Sequence, residues 1–199
     1  MSYGVEHYNN KWKRIISGLP NGSNYRYDLR QYNYDFIKGR IPRLSKIFDF
    51  GCGLGIIDIQ LFKEKDCDVY GCDTSNVAVD FINSKFDIDR FCVGDRFFGK
   101  GYDYILAIHF IEHISNPVEW MREALEYGKR VIFTIPNNFR CSGEHENQQW
   151  HDWNEFHFLF QEFNLIRLDG LYPECCKGDW SAPIFEATNV KENYKWYQW

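Results

Sequence analysis

The stretch Ile47-Phe-Asp-Phe-Gly-Cys-Gly-Leu-Gly55 decides the fold. Its apolar opening reads as a buried strand ending in an acid. Glycines then follow at positions 51, 53 and 55. Glycine suits such a turn because it reaches backbone angles that a Cβ disfavours. It also lets a ligand come close to the main chain at a helix N-terminus. The spacing is Gly-x-Gly-x-Gly, with Ile at position 56. It departs from the Gly-x-Gly-x-x-Gly fingerprint of dinucleotide sites, whose third glycine supports helix–strand packing beside a pyrophosphate. In isolation, an ordinary strand-to-helix turn would look the same.

The neighbouring sequence removes that ambiguity. Val69-Tyr-Gly-Cys-Asp73 is a second apolar run ending in an acid, 22 residues after Gly51. In a doubly wound sheet such an acid faces the ligand crevice and can accept from ribose hydroxyls. Val93-Gly-Asp95 ends a third run with another acid, placed to accept from an adenine amino group. Working outward, strands are expected at Ile47–Phe50, Asp68–Cys72, Arg90–Val93, Tyr104–Ile108 and Arg130–Ile135. Helices are expected between them at Ile56–Lys63, Val77–Lys85 and Pro117–Tyr127, the last with Pro in its first turn. This alternation implies a parallel sheet with right-handed crossovers. Asp152 and Glu155 form a capping-box pattern for a helix to about Glu162. Leu165–Leu168 and Ile184–Thr188 read as two further strands. With no helix expected between them, they should pair antiparallel at one edge. In the head, Tyr25, Leu29, Tyr32 and Phe36 line one helix face that Gly39 and Pro42 terminate.

At 199 residues the chain has room for one domain: a helical head or lid over 1–43 and a Rossmann-like core over 44–199. Apolar and charged fractions of 44% and 26% exclude a disordered, collagen-like or coiled-coil chain. Residues 1–43 carry eight Lys/Arg against three Asp/Glu, a net of +5, within a whole-chain charge of −5. The basic head can meet an anionic partner, but the whole chain lacks the basic excess of a dedicated duplex binder. Seven cysteines without a Cys-x-x-Cys pair do not make a zinc framework. The opening Met1-Ser-Tyr-Gly-Val-Glu-His has no apolar signal region, so a reducing, cytoplasmic setting is expected, without a membrane span.

These motifs together resemble the class I S-adenosylmethionine-dependent methyltransferases. Asp49-Phe-Gly-Cys-Gly-Leu-Gly55 is similar to the family's first motif, Tyr70-Gly-Cys-Asp-Thr-Ser75 to its second and Gly94-Asp95 to its third. The run from Tyr102 through Ile108-His109-Phe-Ile-Glu112-His113 to Pro117 resembles the fourth strand and its Glu-His loop. Gly128 to Asn137 resembles the fifth strand. The resemblance implies an α/β fold: a doubly wound, mostly parallel sheet of seven strands in the order 3-2-1-4-5-7-6, strand 7 antiparallel, with helices on both faces. It also implies a cofactor, S-adenosyl-L-methionine. Asp49, Gly51, Cys52 and Gly53 would line its amino-acid part, Asp73 and Thr74 the ribose, and Asp95 the adenine. Ile108 and His109 would lie under the sulfonium.

Methyl transfer from a sulfonium is an in-line displacement, so positioning supplies much of the rate. A hydroxyl nucleophile also needs a base poised near neutrality, and His is the common choice. His109 is the first candidate, with His113 beside it; His145 and His151 lie in the loop after the fifth strand. Some relatives bind a divalent ion with acids and His at this place. Here a His replaces the first acid, so no metal site is expected and Glu112-His113 reads as a pair in the pocket wall. Arg26, Arg30 and Arg40 with the head's rings can stack on and pair with a flat or anionic substrate. The expectation is transfer to an oxygen or nitrogen of a small polar molecule. The alternatives are an RNA or nucleotide methyltransferase using the basic head and a non-catalytic cofactor-binding partner protein. NAD dehydrogenation is disfavoured by the glycine spacing.

Overall fold

The structure is a computed structural model, and it describes residues 4–18, 27–86, 89–135, 153–168 and 183–188. Tyr25, Arg26, the side chains of Leu29, Arg30 and Tyr32, Asn137 and the stretch 143–152 with His145 and His151 fall outside these residues. Two helices, α1 (Val5–Ser17) and α2 (Tyr27–Arg40), precede the core. The core then alternates strand and helix: β1 (Lys46–Phe50), α3 (Ile56–Lys65), β2 (Asp68–Asp73), α4 (Asn76–Asn83) and β3 (Phe91–Val93). It continues with β4 (Tyr102–Ile108), α5 (Pro117–Tyr127), β5 (Gly128–Thr134), α6 (Trp153–Leu159), β6 (Asn164–Arg167) and β7 (Ile184–Thr188). The sheet has seven strands in the order 3-2-1-4-5-7-6. Strands β1 to β5 pair in parallel, and β7 runs antiparallel to both β5 and β6. The fold expected from the motifs is the fold observed.

Alternation along the strands builds two cores. In β1, Ile47 faces α3 and α4, joining Ile57, Leu61 and Ile82. Phe48 and Phe50 face the other way, against Trp120 and Met121 of α5. Helix α2 seats Ile37 on the α3 side of the sheet. Glu186 of β7 is fully buried there and is held by Arg40 Nε at 3.0 Å and by Arg130. Residue 49 falls on the α3 face by the same alternation, which places an acid inside that layer.

Element ends differ from the sequence reading in a few places. Helix α2 runs one residue past Gly39. Helix α6 stops at Leu159 rather than Glu162. Phe160 turns into the core against Phe133 and Phe156, and tight i→i+3 bonds carry the chain to β6. Strand β5 begins directly after α5. Gly128 permits that junction, since a Cβ there would come 2.6 Å from the Ile105 side chain. At the same end Gly101 N–H donates to the Tyr127 carbonyl at 3.1 Å, and Lys129 donates to Asp103 at 2.6 Å.

Candidate active site

The site lies where β1, β2 and β4 end. Gly51 and Gly53 adopt φ of +75° and +54°. The turn they make folds the chain back over the sheet edge, and the Gly51 and Cys52 N–H groups both donate to the Cys72 carbonyl, at 2.8 and 3.1 Å. A Cβ at Gly51 would meet the Phe110 ring at 2.7 Å, and one at Gly53 would meet the Trp12 indole at 2.9 Å. Gly55, at φ +61°, packs against α4, where a Cβ would come 1.7 Å from Ile82. Despite the unusual spacing, the third glycine thus still serves helix packing. Cys52 is buried, which pushes its thiol up and keeps it neutral.

Asp73 organises the loop. Its Oδ2 accepts from Gly53 N–H at 2.9 Å and its Oδ1 from Ser75 N–H at 2.8 Å. Burial pushes its carboxyl above the ordinary range, while these two N–H groups, and Lys11 nearby, oppose the rise. Each carboxylate oxygen has lone-pair capacity left for hydroxyl donors. Thr74 sits half-buried in the bend between Asp73 and the Ser75 cap of α4. Asp95 is exposed after β3, and the Gly94 N–H donates to the Asp73 carbonyl at 2.9 Å, tying that turn to the end of β2. Asp49 is buried under the loop, and its Oδ1 meets no donor among the described residues. Burial carries its carboxyl up to about 7, with the Asp73 charge adding to the rise. Asp58, in the first turn of α3, is its fully buried partner and is raised as well.

At the end of β4, Ile108 is half-buried and pairs with Thr134. His109 adopts φ +53°, a left-handed conformation that costs a side-chain-bearing residue about 1–2 kcal/mol. Its N–H donates to Thr134 Oγ1 at 3.0 Å. A 3₁₀ turn, Ile111–His113, follows. It buries Glu112 completely, with Oε1 3.4 Å from His109 Nδ1 and 4.0 Å from His113 Nε2. Burial alone would raise the Glu112 carboxyl, yet the two imidazoles hold it below its ordinary range. Among the described residues no group of three or more ligating side chains is arranged to hold a metal ion.

The sequence reading expected a head or lid over 1–43 but named none of the α1 residues that cover the loop. Helix α1 packs on α4, its Trp12 lies over Gly53, Asn9 Oδ1 accepts from Ser75 Oγ at 2.6 Å, and Tyr8 meets the His113 ring edge-on. The Trp12 Nε1–H is buried without a partner among the described residues. Tyr8, Trp12 and Ile15 at i, i+4 and i+7 were the available signal. The strand-end acids Asp49 and Asp73 come together with the glycine loop. Asp95 remains apart from them, on the surface.

This arrangement matches known proteins. The profile of the methyltransferase-domain family covers residues 23–172. The chain belongs to that family. The class I methyltransferase fold, with S-adenosylmethionine as its methyl donor, is what this sheet order and glycine loop build. Two relatives are named ubiquinone biosynthesis O-methyltransferase. That of Cereibacter sphaeroides (strain ATCC 17025 / ATH 2.4.3) is 26% identical over 167 residues, 70% of this chain and 65% of its own length. That of Ruegeria pomeroyi is 26% identical over 161 residues, 70% of this chain and 64% of its own length. The chain therefore spans slightly less than two thirds of either relative. Among solved structures, the magnesium protoporphyrin IX methyltransferase of Synechocystis PCC 6803 with bound S-adenosylmethionine superposes with a TM-score of 0.66. It is 18% identical and is matched over 94% of this chain and 95% of its own. A TehB-like methyltransferase of Corynebacterium glutamicum gives 0.60 at 21% identity, over 91% and 96%. No helix among the described residues is long and apolar enough to cross a membrane.

The unpartnered Asp49 Oδ1 and Trp12 Nε1–H suit an ammonium and a carboxylate respectively. Asp73 stands at the end of β2, beside the glycine loop.

Proposed function

We propose that the chain transfers a methyl group from S-adenosylmethionine to an oxygen or nitrogen of a small polar molecule. The observation that carries this reading is the Asp73 carboxylate, which grips Gly53 N–H and Ser75 N–H and so fixes the crevice in a ligand-ready shape. In this reading Gly51, Cys52 and Gly53 cradle the amino-acid end, with Asp49 taking its ammonium. Asp73 and Thr74 hold the ribose, and Asp95 meets the adenine from its surface turn. Ile108 and His109 form the wall below the reacting centre. When bound, S-adenosylmethionine supplies an electrophilic methyl group with a neutral thioether as leaving group. His109 takes the proton of the acceptor, His113 completes the wall, and α1 excludes water from above. The head, residues 1–43, and the core, residues 44–199, act as one domain in this scheme. The relatives named O-methyltransferases support oxygen as the acceptor atom.

The test is equilibrium titration of the chain with S-adenosylmethionine and with NAD, each followed calorimetrically. Saturable binding of the first and none of the second is expected. Binding of NAD alone would refute the reading. Release of S-adenosylhomocysteine against a panel of phenols, sugar hydroxyls and amines then identifies the acceptor. Turnover only with RNA oligonucleotides, weakening steeply with salt, would replace the small molecule by a nucleic acid.

A further inference from the structure

We propose that Glu112 is the positioning residue of this site: its buried carboxylate holds the Nδ1–H of His109 and so leaves Nε2 as the proton acceptor. The inference rests on His109 being the base, as proposed above. Three features of the turn after β4 carry it. First, Glu112 is fully buried, and neither of its oxygens has a formed hydrogen bond to another group among the described residues. A buried carboxylate without a donor costs far more than a neutral group does. Second, its near polar neighbours are the two imidazoles, and His109 Nδ1 is the closer by 0.6 Å, at 3.4 against 4.0 Å. An N–H on Nδ1 gives the carboxylate its donor; a lone pair there would set two acceptors face to face. Third, the backbone spends strain to bring the ring there. His109 stands at φ +53°, pinned through its N–H to Thr134 Oγ1 at 3.0 Å. Such strain persists only where the surroundings over-determine it.

Three described residues flank the pair. His113 touches the carboxylate from the same turn, Tyr8 of α1 lies against the His113 ring, and Thr134 is the polar partner from β5. The ring keeps part of its surface exposed. The acceptor's proton then passes to Nε2 as its oxygen or nitrogen bonds carbon, and the imidazolium formed lies against the Glu112 carboxylate. The carboxylate thus orients the ring without touching the acceptor.

Nitrogen-15 histidine labelling with long-range proton–nitrogen correlation reads the tautomer directly, in the full chain and without an acceptor. His109→Gln identifies the signals of that ring. Neutral His109 is expected to carry its proton on Nδ1 in at least a tenfold excess over Nε2. Glu112→Met, of similar volume and without an acceptor, should lose that excess, and Glu112→Gln, which keeps a carbonyl acceptor, should retain most of it. A predominant Nε2–H form in the unaltered protein overturns the proposal, even where a Glu112 variant does not fold. So does an unchanged ratio in a folded Glu112→Met. Methyl transfer at full rate by His109→Gln would refute the base reading instead, and would leave the tautomer result standing.

Discussion

Replacing Asp58 by Asn tests whether a proton is trapped beneath the glycine loop. Asp49 and Asp58 are both buried, and Asp49 Oδ1 and both Asp58 oxygens meet no donor among the described residues. Two ionised carboxylates facing each other in such a place repel, so the pair holds at least one proton. Burial carries Asp49 to about 7 and Asp58 well above the usual carboxylate range. The unfolded chain gives these protons up near pH 4, roughly. Above that, and up to the raised folded value, the folded form binds more protons than the unfolded one. Stability is therefore full below about pH 4 and falls as pH rises towards 7. Each pH unit costs about 1.4 kcal/mol per trapped proton, so one proton carried across about three units costs on the order of 4 kcal/mol. An Asn at position 58 donates an N–H to Asp49 and holds no titratable proton. The variant should match the parent near pH 4 and exceed it by about 1–3 kcal/mol near pH 8. Urea unfolding of the ligand-free protein, followed by tryptophan fluorescence at several pH values, measures this. Stability curves that stay parallel across the range would refute the trapped proton.

Three other outcomes follow from the geometry. Asp73→Ala removes the acceptor for two loop N–H groups and for the donor's hydroxyls, so S-adenosylmethionine affinity should fall by about 1–3 kcal/mol in calorimetry; unchanged affinity would show the crevice to be misassigned. Gly55→Ala adds a clash with Ile82 to an unfavourable positive φ, whereas Gly101→Ala, at φ +75°, meets nothing within 4 Å. Thermal melts should place the first well below the second, which loses only about 1–2 kcal/mol; equal losses would mean that packing at Gly55 is slack. Glu186→Gln weakens the charge link from β7 to Arg40 and Arg130 and should cost about 1–3 kcal/mol in denaturant, less than a fully buried pair because both arginines reach solvent. An unaffected midpoint would show that α2 is not tied to the sheet through this residue.

The core was legible because its signals are local. A strand ending in an acid, repeated at Asp49 and Asp73, marks one end of a parallel sheet wherever it occurs. The order of the last two strands was harder, since antiparallel edge pairing depends on partners more than on propensity. It came from the family resemblance together with the absence of a helical pattern between residues 168 and 184. The place of Asp58 was not legible in the sequence. An acid in the first turn of a helix reads as a dipole partner, yet this one is buried against Asp49 because position 49 alternates onto the α3 face. Helix α1 was not separated from the rest of the head, because its working face mixes Tyr8, Asn9 and Trp12 rather than aliphatic residues. What those side chains do depends on the glycine loop they cover, which no window of sequence contains.

The two ends of the sheet stand under different constraints. At one end α5 runs into β5 without a connector, and Gly128, Gly101 and the Lys129–Asp103 pair leave no slack. At the other end β4, β5 and β6 all point their last residues the same way, so the segments 135–152 and 168–183 both depart from the side of the glycine loop. Natural variation in acceptor choice should accumulate in those two segments, and transplanting them between relatives should carry acceptor preference along while the methyl-donor site stays as it is.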